Sequence, residues 1–419
     1  MLAIACFCGH TAWAQVGRAE LFGTVTDPAG LPVVGAAVEA SEERTQATVS
    51  TTTNDGGEYH FFALPPGRYA LTVTKTGFTK LRRSGVELRV ADRVALELQL
   101  QVGEMSQSVN VNAAAPLLQT TSGTQSFVVE QKKVVTLPLD GRNFVPLVEL
   151  APGVALPPGS TASPSVLPRI NGSRPRTSEY IYDGISVLQP EPGQVAYYPV
   201  VDAIEEFRIQ INSYSAEYGR SNGGVIQVST KAGTNALHGT LFEFFRNEDL
   251  NARNLFAGAG AKPPFHRNQY GFVLGGPIQK NKTFFFTDWQ GTRLRIGNTR
   301  ISTVPTTAQQ QGIFSSPVYD PASTRQNADG SYVRDPFPNN TIPSSRFDAA
   351  ARNITSRYPA PNVFSGGREA TANNYRRQGV NTTDQDQFDT RLDRYFGERH
   401  RIFGRYTYLR DESAPATPL

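Results

Sequence analysis

Methionine and cysteine are nearly absent from this sequence of 419 residues, with two of each, and charged residues make up only 19%. Glycine and proline are plentiful instead, with 37 and 29 residues. Helical bundles need long stretches rich in Ala, Glu, Lys and Leu, so this composition argues against them. The 24 Phe and 16 Tyr suit strands joined by turns. We therefore predict a mainly β protein.

Both cysteines lie in an apolar run over residues 2–8, which is followed by a small-x-small tripeptide that ends at Ala14. This pattern predicts a signal peptide over residues 1–14, with cleavage between Ala14 and Gln15. The alternative is a buried N-terminal strand or helix. If the peptide is removed, the mature chain has no cysteine, which excludes disulfides, thiolate metal sites and cysteine nucleophiles.

The sequence also lacks a basic stripe and a second long apolar run. Its basic residues occur in scattered doublets, so we predict no nucleic-acid partner. Any membrane insertion would have to use strands, because no later segment has the length of a spanning helix. Metalloprotease, phosphate-loop and nucleophile-elbow patterns are absent, and the five histidines are dispersed. We therefore predict no catalytic residue, no metal ligand and no cofactor, and hence no enzyme.

Residues 18–103 have the pattern of a small β-sandwich. Alternating apolar residues over 94–102 and 69–73 predict half-buried antiparallel strands. The apolar positions are Val94, Leu96, Leu98, Leu100 and Val102 in the first run, and Tyr69, Leu71 and Val73 in the second. Turn-forming residues separate such runs at 27–30, 54–57 and 65–67. Together, the segments 23–38, 53–59 and 64–69 resemble the carboxypeptidase regulatory-like (transthyretin-like) domain. The resemblance implies an Ig-like β-sandwich that serves as a structural module without peptidase activity.

Residues 104–235 mix short strands with short amphipathic stretches. Residues 139–150 predict a turn that enters a short helix, which ends near Pro152 and Gly153. Further blocks follow at 170–174, 180–184, 204–209 and 216–226. In this order the blocks resemble the α+β plug domain of TonB-dependent outer-membrane receptors, in particular the Oar-like group, in which a regulatory-like domain precedes the plug. The residues that match a plug motif are Asp140, Gly141, Arg142 and Asn143.

The resemblance implies a location in the outer membrane and a mechanism. The plug would close a barrel of about twenty-two strands, and TonB, energised by ExbB and ExbD, would pull on it to admit a ligand. Receptors of this family carry siderophores, cobalamin, glycans or peptides, and this sequence does not indicate which. We expect Arg142 to pair with carboxylates on the plug or the inner wall.

A polar segment with alternating valines lies between the two domains, where the family carries its TonB box. Such a box adds a strand to the edge of a partner's sheet, so its sequence requirements are loose. The alternative is a linker or a first plug strand. The candidate residues are Ser106, Gln107, Ser108, Val109, Asn110 and Val111.

Residues 236–419 are expected to form the N-terminal part of an antiparallel β-barrel. In the predicted hairpin around residues 397–399, an apolar face for lipid alternates with a charged face for a wet lumen. A soluble sandwich would give a similar pattern. We also predict a strand over 270–274 that ends before Gly275, another over 282–289, and an extracellular loop over 305–386 with one short helix.

These residues suffice for about six strands, which cannot close a barrel, and an open edge in lipid would leave backbone groups unpaired. We therefore expect the chain to be a fragment of a longer gene product. The alternative function is that of a secreted or surface binding or adhesion protein that uses the sandwich for recognition. An accessory chain of a peptidase is the weakest alternative.

Overall fold

The computed structural model describes residues 18–104, 108–112, 122–157, 167–189, 193–219, 221–252, 262–398 and 400–417. The chain forms two compact units. The first consists of residues 1–242, 270–290 and 386–409, and the second of 243–269, 291–385 and 410–419. The prediction of a mainly β protein is confirmed. No helix within the described ranges is long and apolar enough to cross a membrane.

The N-terminal sandwich is built from nine strands in the described residues. They are β1 (Ala19–Thr26), β2 (Ala37–Glu42), β3 (Thr48–Thr52), β4 (Glu58–Leu64), β5 (Gly67–Thr74), β6 (Lys80–Leu88), β7 (Arg93–Ala95), β8 (Leu98–Gln99) and β9 (Ser108–Asn112). One sheet has the order β4-β1-β7, with β8 also on β1, and the other has the order β3-β2-β5-β6-β9. Tyr69, Leu71 and Val73 of β5 are buried in the core between the sheets, as their alternation predicts.

The prediction for residues 94–102 is wrong in two respects. The run does not form one antiparallel strand, because β7 and β8 are separate and both pair in parallel with β1. The break lies at Leu96, whose backbone approaches Gly23 so closely that an added Cβ there would lie 2.0 Å from the Leu96 carbonyl oxygen. The apolar alternation also ends early, since Val102 is exposed while Leu100 is buried.

The described residues between 122 and 235, which we call the plug, contain a further five-stranded sheet with the order β10-β15-β16-β13-β14 and a small pair, β11-β12. Its strands are β10 (Gln125–Glu130), β11 (Val154–Ala155), β12 (Arg169–Ile170), β13 (Ser178–Tyr182), β14 (Ile185–Ser186), β15 (Ile204–Asn212) and β16 (Gly224–Thr230). Helix α1 spans Gln131–Thr136, and 3-10 helices span Val145–Leu150 and Val201–Ala203. The first of these 3-10 helices lies where the sequence predicts a short helix that ends before Pro152.

The remaining strands are β17 (His238–Asn247), β18 (Phe265–Gln279), β19 (Thr283–Ser302), β20 (Arg325–Gln326), β21 (Tyr332–Val333), β22 (Phe364–Ser365), β23 (Arg368–Glu369), β24 (Tyr375–Phe396) and β25 (His400–Ala414). Five of them form the wall sheet, in the order β17-β18-β19-β24-β25. We predicted about six wall strands. There are five in the described residues because several are far longer than ten residues.

The two faces of the wall hairpin β24-β25 differ as the sequence predicts. Leu392, Phe396 and Ile402 are at least half exposed on one face, whereas Asp389 and Asp393 on the other are almost fully buried. An apolar outer face and a polar inner face are typical of strands that separate lipid from a wet interior.

The strand predicted to end before Gly275 instead continues to Gln279. Gly275 and Gly276 keep an extended backbone, because the space beside them is filled by neighbouring side chains. A Cβ at Gly275 would lie 2.8 Å from Phe286 and 3.0 Å from His238. These glycines therefore allow close packing and do not form the turn, which lies at residues 280–282.

The loop predicted over 305–386 is shorter and more structured than expected. It ends where β24 begins at Tyr375, and it contains helices α2 (Thr307–Gln310) and α3 (Ala349–Thr355). It also contains 3-10 helices over Pro321–Ser323, Pro338–Asn340 and Ser344–Arg346, and the hairpins β20-β21 and β22-β23. The buried Asn374 side chain joins the two ends of the loop by bonding both the N–H and the carbonyl of Val304, each at 2.8 Å.

Candidate site: the ion-pair network between plug and wall

The plug presents a buried carboxylate at a two-residue hairpin turn. Asp183 and Gly184 connect β13 to β14, and both have positive φ, of 48° and 92°. An Asp-Gly pair suits such a turn because both central residues must adopt the left-handed conformation. The side chain of Asp183 accepts a hydrogen bond from the Thr230 N–H at 2.9 Å and another from the Thr230 hydroxyl at 2.5 Å. The turn therefore fixes the direction of the carboxylate.

Two arginines of the wall bind this carboxylate. Arg405 of β25 donates from Nη1 to Oδ2 of Asp183 at 2.9 Å, and Arg391 of β24 has its Nη1 3.3 Å from Oδ1. The Asp183 side chain is only 6% exposed. A buried charge is costly unless it is paired and hydrogen-bonded, so each of these partners offsets part of the cost of burying this carboxylate.

Further wall carboxylates complete the charge balance around the two arginines. Arg405 also pairs with Asp389 at 3.0 Å, and Arg391 pairs with Asp393 at 2.9 Å. Arg401 makes a second ion pair with Asp393. The guanidinium groups also lie over aromatic rings, as shown by the distance of 4.9 Å from Arg391 to the ring centroid of Phe403. We call the group Asp183, Asp389, Arg391, Asp393, Arg401 and Arg405 the plug–wall network.

The space beside the plug–wall network is small. A cavity of about 70 Å³ is lined by Glu42 of the sandwich, Asp183 and Lys231 of the plug, and Arg391 and Tyr395 of the wall. Small-molecule pockets usually measure ~300–1,000 Å³, so this cavity suits a few waters and not a transported ligand. The described residues contain no cluster of three or more His, Cys, Asp or Glu side chains arranged to hold a metal ion.

The sandwich and plug also meet through buried charges. Arg208 of β15 pairs with Asp92, which precedes β7, and the Glu206 carboxylate accepts a hydrogen bond from the Val90 N–H. A more exposed pair joins Arg89 to Glu130 at 2.9 Å. These contacts hold the sandwich against the plug sheet. Burial raises the pKa of Glu206 to about 7, countered by the Val90 bond and increased by the nearby Asp92.

The raised pKa predicts that the sandwich–plug contact depends on pH. The folded state binds the Glu206 proton more tightly than the unfolded state does, so this stabilisation is complete below pH 4.5 and is lost as pH rises through about 7. Glu206→Gln keeps a hydrogen-bond acceptor and cannot ionise. We expect it to raise the free energy of unfolding at pH 8 by roughly 1–3 kcal/mol, with little change at pH 5. Urea denaturation at the two pH values measures this.

The control for this measurement is Glu130→Gln, which removes an exposed carboxylate from the same contact. Its side chain is 51% exposed, so we expect a change within about 1 kcal/mol at both pH values. If Glu206→Gln has the same pH dependence as the parent chain, Glu206 does not titrate in this range.

The predicted plug motif forms a tight turn before the first 3-10 helix of the plug. Gly141 and Arg142 both have positive φ, and the Asn143 side chain accepts a hydrogen bond from the Val145 N–H at 3.0 Å. The guanidinium of Arg142 pairs with Asp202 of the plug and lies 5.8 Å from the ring centroid of Phe242 on the wall. This carboxylate partner on the plug is of the kind that we expected for Arg142. Burial lowers the pKa of Arg142, and Asp202 opposes that shift.

Only some of the other predicted site residues lie within the described part of the chain. Ala14, Gln15, Ser106 and Gln107 lie outside the described residues. Residues 108–111 belong to β9, which pairs with β6 in the sandwich sheet and with no plug strand among the described residues. The candidate TonB box, the plug motif and the cleavage site therefore stay predictions.

Sequence reasoning did not single out Asp183, Arg391 or Arg405 as a group. We assigned Asp183 to a plug block, and Arg391 and Arg405 to the charged face of the barrel hairpin. The Asp-Gly pair does signal a hairpin turn. Nothing in the sequence indicates that this turn meets Arg405, which is 222 positions away.

Comparisons with known proteins agree with this architecture. Residues 229–419 match the outer membrane beta barrel domain family, and residues 20–101 match the carboxypeptidase regulatory-like domain family. The TonB-dependent transporter Oar of Myxococcus xanthus is 29% identical to the chain over 307 residues, which cover 70% of this chain and 28% of Oar. The chain thus spans less than a third of that relative.

Two solved structures are also similar. The outer membrane transporter YddB from Escherichia coli aligns with a TM-score of 0.43 and 14% identity, covering 69% of this chain and 33% of YddB. The siderophore receptor PirA from Acinetobacter baumannii aligns with a TM-score of 0.35 and 15% identity, covering 68% and 40%.

The wall sheet and the two family matches define an outer-membrane β-barrel protein with an N-terminal regulatory-like sandwich. Its location is therefore the outer membrane. Together with the similarity to Oar, these matches support a TonB-dependent receptor of the Oar type.

Proposed function

We propose that this chain forms the sandwich, the plug and the first wall strands of a transporter that takes up a ligand with energy delivered through TonB. The plug–wall network is the observation that carries the proposal. It joins Asp183 of the plug to Arg391 and Arg405 of the wall by ion pairs, and within the described residues the plug sheet and the wall sheet are separate. A plug held in this way closes the barrel at rest and can still be displaced by force.

The proposal assigns the TonB contact to residues 106–111 and the energy supply to the ExbB and ExbD proteins that act with TonB. Strand addition relies on backbone hydrogen bonds, and a five-residue strand with valines at alternate positions is suited to it. The ligand is a siderophore, a glycan or a peptide. The similarity to Oar favours transport over a secreted adhesion protein. No catalytic step forms part of the proposal.

Binding to TonB tests this function directly. The probe is the purified C-terminal domain of TonB from the same organism. It is titrated into the detergent-solubilised chain and into a synthetic peptide of residues 104–114. We expect both to bind, and we expect deletion of residues 106–111 from the chain to abolish binding, because the added strand is then missing.

A deletion of equal length in the loop, residues 326–331, is the control, and it should bind TonB as the parent chain does. These residues comprise the end of β20 and the turn that leads to β21, away from the sandwich sequence. If the peptide and the chain both fail to bind, or if the deletion of 106–111 binds normally, the assignment of the TonB contact is wrong.

A further inference from the structure

Strand β9 contains four of the six candidate TonB-box residues, and it is already paired within the chain. It runs parallel to β6, with Lys80 opposite Ser108 and Ser84 opposite Asn112. In the sheet order β3-β2-β5-β6-β9, it is the outermost strand. The sandwich has therefore added this strand to its own sheet edge, which is the same kind of contact that TonB would make.

The pairing of β9 depends mainly on its backbone. Val109 and Val111 are 39% and 41% exposed, and Asn110 is exposed. In the central strand β5 of the same sheet, by contrast, Leu71 and Val73 are almost completely buried. A strand that adds little to the core is held weakly and can be released without disrupting the sandwich.

While it is docked, β9 cannot offer all of its backbone and side chains to a second partner. One edge of its backbone faces β6 and cannot pair elsewhere at the same time. Val109 and Val111 are also only partly accessible, and a strand-adding partner takes its specificity from such alternate side chains. A partner that binds the whole segment needs the backbone groups of β9 that now bond to β6, and the valine side chains that the sandwich now partly covers.

The sandwich that holds β9 is itself attached to the plug and the wall. Arg208 of the plug pairs with Asp92, and Asn235, just before the first wall strand, donates to the Thr45 carbonyl at 2.7 Å. While β9 is docked on β6, TonB does not engage it and applies no tension to it. Release of β9 from β6 would let TonB bind the segment and transmit tension to the plug.

We propose that the edge of β6 is an intramolecular docking site that competes with TonB for the segment 108–112. In the resting chain β9 is bound to β6, and TonB binding requires its release. The inference rests on the proposed function, because it takes TonB as the competing partner. In this proposal the sandwich limits when TonB can bind the segment 108–112.

A reversible disulfide between β6 and β9 tests the competition. Arg82 and Asn110 are opposite each other and both are exposed, so Arg82→Cys with Asn110→Cys places two thiols on neighbouring backbones. The variant is made with Cys6→Ser and Cys8→Ser to remove the native thiols. We expect the oxidised chain to bind the TonB C-terminal domain at least about tenfold more weakly than the reduced chain. A reductant should restore binding.

The matched control joins two other strands of the same sheet. Glu39→Cys with Thr72→Cys connects β2 to β5 at opposed positions and leaves β9 free to dissociate. Its oxidised and reduced forms should bind TonB equally. If the oxidised Arg82–Asn110 variant binds as tightly as its reduced form, the proposal is overturned, since TonB would then bind β9 while it is paired with β6.

Hydrogen exchange in the native chain gives a second readout. We expect the amides of residues 108–112 that bond to β6 to be protected, and the amides of β6 that face β9 to lose protection when the TonB domain is added. Unchanged protection on β6 in the complex would overturn the proposal.

The peptide of residues 104–114 separates the docking proposal from the assignment of the TonB contact. If this peptide binds TonB and the locked chain also binds, only the docking proposal fails. If neither the peptide nor the reduced chain binds, the TonB assignment fails and the docking proposal fails with it.

Discussion

Replacing Asp183 by asparagine is expected to lower the free energy of unfolding by ~3 kcal/mol, the low end of the cost of removing one partner from a buried ion pair. The change leaves Arg391 and Arg405 buried with one carboxylate fewer. Each retains a wall partner, Asp393 or Asp389, which limits the loss. Asparagine has nearly the same size as aspartate, so the effect reports charge and not packing. Urea denaturation of the solubilised chain, followed by fluorescence, measures it.

The control is Asp384→Asn, which breaks an ion pair on the surface of the second compact unit. Asp384 lies 2.6 Å from Arg295, and the two side chains are 40% and 35% exposed. We expect a much smaller loss of stability than for Asp183→Asn, because solvent screens exposed pairs. Equal effects of the two substitutions would contradict the view that burial makes the plug–wall network strong.

The substitution Phe144→Ala in the plug is expected to cost ~3–5 kcal/mol, the usual range for removing a buried aromatic ring. Phe144 is fully buried and lies at the centre of an aromatic cluster. Its ring centroid is 5.2 Å from that of Phe207, 6.3 Å from that of Tyr198 and 6.4 Å from that of Tyr182. The loss combines the lost burial of the Phe144 ring with the cost of the cavity that it leaves among the neighbouring rings.

Leu150→Ala is the matched control, because Leu150 lies on the 3-10 helix that Phe144 precedes and is 44% exposed. We expect a cost below ~1 kcal/mol, as for most surface substitutions. Hydrogen exchange of β15 and β16 should speed up in Phe144→Ala and stay unchanged in Leu150→Ala. If exchange in the plug sheet is the same in both variants, the core that we assign to the plug does not depend on this ring.

Local features of the chain were predictable because they depend on neighbouring residues. The turn at residues 65–67, the short helix before Pro152 and the two faces of the hairpin β24-β25 follow from backbone preferences and from period-two alternation. The resemblance to a regulatory-like domain and a plug added the architecture, and the mainly β class is confirmed.

The errors arose where distant segments decide local structure. Residues 94–102 alternate as a single strand would, yet the close approach of Leu96 to Gly23 divides them and aligns both parts in parallel with β1. The pair Gly275-Gly276 resembles a turn but lies inside β18, because the side chains around it leave no room for a Cβ.

The sequence by itself determined the β class, the sandwich, most turns and the membrane-facing side of the wall, because alternation and turn chemistry act over a few residues. Only the tertiary structure brought Asp183 to Arg391 and Arg405, and β9 to the edge of β6. These contacts join residues that are far apart in the chain. A charged residue on one face of a strand gives the same alternation in the sequence whether its side chain contacts water or pairs with a buried carboxylate. Only the packing of plug, sandwich and wall decides between the two.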